Sequence, residues 1–127
     1  MADVRIYNVE ALGRPLGQYS HVARAKAGEF LFIAGMLAAG EDFDEQCSGV
    51  FRQIGEALKS ANAGWASVVQ FTTYLVHSQD IPKLRAFRQR EFARYFPNGA
   101  YPPNTLLVVD RLASESYLLE IQAVAAL

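Results

Sequence analysis

Tyr101-Pro-Pro-Asn-Thr-Leu-Leu-Val-Val-Asp-Arg-Leu112 and Tyr117-Leu-Leu-Glu-Ile-Gln-Ala-Val-Ala-Ala-Leu127 close the chain. Each holds a strand-like apolar run, residues 105–109 and 117–125, and a short polar segment joins them. Alternation along the second run puts Leu118, Glu120, Gln122 and Val124 on one face of a strand. Leu119, Ile121, Ala123 and Ala125 fall on the other. The first face carries two polar side chains and is expected to border a wet cleft, which leaves the second to core packing. A glutamate in a strand interior calls for a reason, because burying an unpaired carboxylate is costly.

Upstream, residues 68–76 are rich in Val, Thr, Phe and Tyr and predict another strand. Residues 42–61 predict a helix. Phe43, Cys47, Val50, Phe51, Ile54, Leu58 and Ala61 recur at spacings of three and four, forming one apolar stripe. Asp42 followed by Glu45 has the form of a capping box, and Asn62-Ala-Gly64 supplies the stop. A second helix is expected from about Asp80, with Pro82 tolerated in its first turn. Its apolar side is Ile81, Leu84, Phe87 or Arg88, Phe92, Tyr95 and Phe96. Residues 4–9 read as a short edge strand and residues 20–26 as a partly exposed one. A turn at Ala27-Gly-Glu29 then leads into a buried strand at residues 30–34, so these last two strands are expected to form a hairpin.

The order is β-β-β-α-β-α-β-β in one domain, residues 1–127. It predicts an α+β fold with a mixed sheet and both helices on one face. The opposite face would then be bare and partly apolar, a condition that calls for a partner. A net charge of −1 excludes a general electrostatic pull toward nucleic acid or anionic membrane. The single cysteine, Cys47, excludes an intramolecular disulfide and argues against a metal-ligand cluster. No apolar run approaches the roughly 20 residues that span a bilayer. The start, Met-Ala-Asp-Val-Arg, lacks the form of a signal peptide, so a cytoplasmic location is expected.

Gly17-Gln-Tyr-Ser-His21, Phe32-Ile-Ala-Gly-Met36 and the closing stretch resemble the reactive intermediate deaminase (Rid) family, also called YjgF-like. The resemblance runs from about Gly17 to Ala125. It implies a chorismate-mutase-like fold and a homotrimer whose sheets surround a central barrel. Small-molecule clefts would lie between the subunits, and no cofactor is implied. It gives Glu120 the task of positioning an attacking water and places Tyr19 in the cleft wall. Ala34-Gly-Met36 stands where the family has Ser-Gly-Gln. Gly35 is kept, while Ala34 and Met36 make the cleft more apolar. Thr105 matches a family hydroxyl. Asn104 stands where deaminating members have an arginine that grips the substrate carboxylate. That loss costs on the order of 1.5–3 kcal/mol, so inefficient action on 2-aminoacrylate is expected.

Each residue also has a plainer reading. Glu120 could be an edge-strand carboxylate pointing at solvent, and Tyr19 an aromatic core residue at a strand entry. His21 reads as a strand-surface residue, and Cys47 as a packed core thiol. Arg14, in the loop before Tyr19, is either the replacement cation or a solvated loop residue. Lys83, Arg85, Arg88, Arg90 and Arg94 read as a solvated helix face, or else as a patch for RNA. Together these readings point to a small-molecule hydrolase or deaminase acting on an imine, enamine or related reactive metabolite. The alternatives are a non-catalytic trimeric binding module and an RNA-cleaving or translation-inhibiting protein.

Overall fold

The computed structural model describes residues 2–127. Six strands and two helices follow in the order β1 (Asp3–Tyr7), β2 (Val22–Lys26), β3 (Phe30–Met36), α1 (Phe43–Ser60), β4 (Val68–Leu75), α2 (Ile81–Tyr95), β5 (Asn104–Val108) and β6 (Leu119–Ala126). The expected element order is the observed one. β1 and β2 form an antiparallel ribbon, and the other four make a mixed sheet ordered β3-β6-β4-β5. β6 runs antiparallel to both β3 and β4, while β5 lies parallel to β4. Both helical crossovers, β3 to β4 and β4 to β5, therefore step across the sheet in the same direction. Crossovers of one hand stepping one way must lay their helices on the same face, so α1 and α2 share a side.

The predicted hairpin between residues 20–26 and 30–34 does not form. β2 pairs with β1, and β3 pairs with β6. The backbone of the intervening turn explains why. The Gly28 and Glu29 amides donate to the Leu127 carbonyl at 3.1 and 3.3 Å, and the Leu127 amide donates back to the Glu29 carbonyl at 2.9 Å. The chain end captures the polar groups with which a hairpin would close on itself. Nor is β3 a wholly buried strand. Ile33 is buried, but Phe32 is 81% exposed on the face without helices.

α1 starts as its sequence predicts, with one refinement. The Asp42 carboxylate accepts from the Glu45 amide at 2.9 Å, while the Glu45 carboxylate reaches past the cap to the Glu41 amide at 3.0 Å. Inside the helix the buried Gln46 clamps the long connection before β6. Its Nε2 donates to the Ser116 carbonyl at 2.9 Å, and its Oε1 accepts from the Leu118 amide at 2.8 Å. Between helices and sheet lies an aromatic core centred on Phe51, stacked 5.4 Å from Phe87 and edge-on to Phe71 and Phe92. No helix among the described residues is long and apolar enough to cross a membrane.

Candidate functional site

Register decides which side of the sheet each candidate occupies, because residues paired across neighbouring strands share a face. Phe71 pairs with Asn104, and Thr73 pairs with both Leu106 and Ile121. Phe71 and Thr73 are fully buried beneath the helices, so Asn104 points to the helix side. Thr72 pairs with Thr105, and Tyr74 pairs with Glu120. Thr105 and Glu120 therefore point to the open side. Alternation in β6 is as the sequence predicts, with Leu119, Ile121 and Ala123 buried and Glu120 partly exposed. Within one chain the sheet itself separates Glu120 from Asn104.

On the helix side, a cavity of about 260 Å³ opens at the β5 edge. Leu16, Gly17, Gln18 and Tyr19 form one wall; Ile81, Leu84, Arg85 and Arg88 of α2 form another; Asn104 and Leu106 form the floor. Arg88 is its centre. The guanidinium Nη2 donates to Asn104 Oδ1 at 3.0 Å and to Thr73 Oγ1 at 3.1 Å. The Thr73 hydroxyl donates in turn to Asn104 Oδ1 at 2.7 Å. Arg88 also lies over the Phe92 ring, 5.4 Å from its centroid. Its Nε is buried without a hydrogen-bond partner. Burial pulls the guanidinium down to about 10, opposed in part by Cys47, so it stays cationic at neutral pH. Burial also pushes the Cys47 thiol up to about 12 and keeps it uncharged.

The cation beside Asn104 thus comes from α2, while Arg14 is exposed and does not line this cavity. Tyr19 does line the cavity, and its hydroxyl oxygen accepts from the Leu16 amide at 3.2 Å. The sequence reading left Arg88 either on the apolar side of the helix, as the alternative to Phe87, or on its solvated basic face, and it missed Thr73 altogether. The signal for Arg88 was its spacing: Leu84, Arg88 and Phe92 stand four apart along the buried stripe of α2. A guanidinium in that register must pack inward or bend out.

On the open side, Gly35 sits at a bulge where the β3–β6 register shifts. A Cβ on Gly35 would overlap the Glu120 carboxylate and its stem. Glycine is needed here for the close approach of that side chain. The obstacle is the mobile end of a side chain, so Gly35→Ala is expected to leave thermal stability within about 1 kcal/mol. It should displace the Glu120 carboxylate and lower any turnover that depends on it at least ten-fold. Unchanged kcat in a normally folded variant would show that the carboxylate position is unimportant. Thr105 is exposed on the same face. Met36 corrects another expectation. It pairs with Ile121 and packs against the core, on the side opposite Glu120. Among the described residues, no group of His, Cys, Asp or Glu is placed to hold a metal ion.

Residues 10–127 match the family model described as Endoribonuclease L-PSP. A RutC family protein of Synechocystis is 30% identical over 89% of this chain and 88% of its own. The chloroplastic Reactive Intermediate Deaminase A of Arabidopsis thaliana is 27% identical over 96% of this chain and 65% of its own. Among solved structures, a conserved Rid family protein of unknown function from Yersinia pestis superposes with a TM-score of 0.83. It is 32% identical and covers 98% of both chains. The match over nearly the whole chain, in sequence and in fold, makes this protein a member of the endoribonuclease L-PSP family, the YjgF/Rid group.

Proposed function

We propose that the protein hydrolyses imines, or enamines through their imine tautomers, that carry an α-carboxylate. The site would be a cleft completed by a second copy of the chain in a homotrimer. The observation that carries this reading is the buried guanidinium of Arg88 held against Asn104. Weak binding of carboxylates was expected because Asn104 has no charge of its own. With Arg88 beside it, the pair offers a charge-assisted donor set where the family places one arginine. The chloroplast relative, named as a deaminase, supports the same chemistry.

In this reading the substrate carboxylate lies against Arg88, and Asn104 and Tyr19 orient the C=N group. Glu120 comes from the neighbouring copy, because in its own chain it faces the other way. As water adds to the imine carbon, Glu120 takes its proton and the C=N electron pair moves to nitrogen. Starting from the protonated imine this gives a neutral carbinolamine. Glu120 returns its proton to nitrogen, the C–N bond breaks as the hydroxyl oxygen forms the carbonyl, and the hydroxyl proton leaves with ammonia as ammonium. The products are an oxo acid and ammonium. An RNA-cleaving role gains no support from α2, since three of its five cations are already paired with carboxylates.

The test is to generate imines in situ with an amino acid oxidase and follow release of the oxo acid. The protein should accelerate it well above buffer. Arg88→Met and Glu120→Gln chains, each inactive alone, should regain roughly a quarter of wild-type activity when refolded together, because one site in four pairs two intact halves in a cyclic assembly. No acceleration by the wild type would refute the reaction, and no recovery on mixing would refute the two-copy site.

A further inference from the structure

The cations of α2 divide by their partners. Lys83 pairs with Asp80 at 3.0 Å, Arg90 with Asp44 at 2.8 Å and Arg94 with Glu91 at 3.2 Å. Among the described residues, Arg85 and Arg88 have no carboxylate partner. These two are the ones that line the cavity at Asn104, and no acidic side chain lines it with them.

Three side chains at the cavity have hydrogens to spare, beside the Gln18 amide, which can donate or accept. Arg88 Nε is buried and unpartnered. Asn104 turns its Oδ1 to Arg88 and Thr73, which leaves Nδ2 free to donate. That orientation is fixed, because a guanidinium has no acceptor to offer. Tyr19 already accepts from Leu16, so its own hydroxyl hydrogen is available. Leu84 and Leu106 supply an apolar wall between these groups. Two positive charges, spare donors and a hydrocarbon surface define the ligand by complementarity.

Building on the imine reading above, we propose that the substrate is a dianion: the 2-imino derivative of a four- or five-carbon dicarboxylate. One carboxylate engages Arg88 and the other engages Arg85. Residues three apart on a helix have Cβ atoms about 5–6 Å from each other, which sets two separate forks rather than one. Carboxylates joined through two or three carbons suit that separation, and their spacer rests on Leu84 and Leu106. A single phosphate would gather both forks at one point and leave the apolar wall uncovered. The supplying reaction is the two-electron oxidation of an acidic amino acid, whose first product is this imine. Hydrolysis adds one water and releases the 2-oxo dicarboxylate and ammonium.

Binding of stable analogues tests the proposal without turnover, so its failure and that of the imine reading are separable. Calorimetry on the whole protein at fixed ionic strength would compare glutarate with pentanoate, and succinate with butyrate. Each dicarboxylate should bind at least about ten-fold more tightly than its monocarboxylate counterpart. Arg85→Ala should bring that ratio close to one, and Arg85→Lys should restore part of it. Arg85 is exposed, and a melting curve would verify that the variants fold. A wild-type ratio near one, a ratio unmoved by Arg85→Ala, or no binding of any of the four acids would overturn the proposal. So would phenyl phosphate displacing glutarate at lower concentration than glutarate displaces it.

Discussion

Replacing Arg88 with methionine is expected to cost the unliganded protein little stability while destroying its grip on anions. A guanidinium titrating near 10, rather than well above 12, carries a burial penalty on the order of 3 kcal/mol. The methionine variant escapes that penalty. It also loses two charge-assisted bonds from Nη2, to Asn104 and Thr73, and the contact with Phe92, together on the order of 3–6 kcal/mol. Asn104 Oδ1 keeps its bond from the Thr73 hydroxyl, so no buried acceptor is orphaned. The two contributions nearly cancel, leaving a loss of about 0–3 kcal/mol and a melting temperature equal to that of the wild type or several degrees lower. The pH dependence follows from the same charge. In the wild type the folded state holds fewer protons than the unfolded state between about pH 10 and the ordinary arginine range. Stability attributable to Arg88 therefore rises with pH across that window, and the penalty is fully present below it. Carboxylate binding, by contrast, should fall about 100-fold, with kcat/KM falling alongside. Calorimetric melting with and without glutarate checks both halves. A variant clearly more stable than the wild type would show that the burial penalty outweighs the lost bonds, and retained binding would remove Arg88 from the anion site.

Glu120→Gln should reduce kcat by about 100- to 10,000-fold, the usual span for loss of a general base. The two side chains are nearly isosteric, so the packing over Gly35 is preserved and only the capacity to take a proton is lost. KM should move less than three-fold, because in the proposed site the substrate carboxylate lies against Arg88, on the other face of the sheet. This split separates a chemical role from a structural one: a residue that merely shaped the cleft would change KM and stability together. A kcat within three-fold of wild type would remove Glu120 from the reaction.

Local patterns carried most of this architecture. The α1 stripe, the Asp42 cap and the alternation in β6 each depend on neighbours a few residues away, and each is present as read. The hairpin failed because its fate depended on Leu127, nearly a hundred residues beyond the turn, whose backbone took the bonds the turn would have kept. Phe32 was read as buried because an apolar strand does not say which of its faces has a cover. The anion site was half legible. Asn104 stood out as a departure from the family pattern, yet its compensation lay on a different element. Arg88 sat among four other basic residues, and composition alone cannot tell a paired surface cation from one buried beside a polar strand end. Thr73 gave no signal at all, since threonine is ordinary in strands.

An anion site built on the unneutralised charge of Arg88 would also tie the protein's abundance to its metabolite. An anion that binds only the folded form shifts the folding equilibrium in proportion to its concentration, and here it also relieves a penalty the empty chain carries. Copies made when the metabolite is scarce would visit the unfolded state more often and be cleared sooner by proteases, and copies made when it is plentiful would persist. Steady-state level would then follow demand with no transcriptional control, a property the methionine variant should lose.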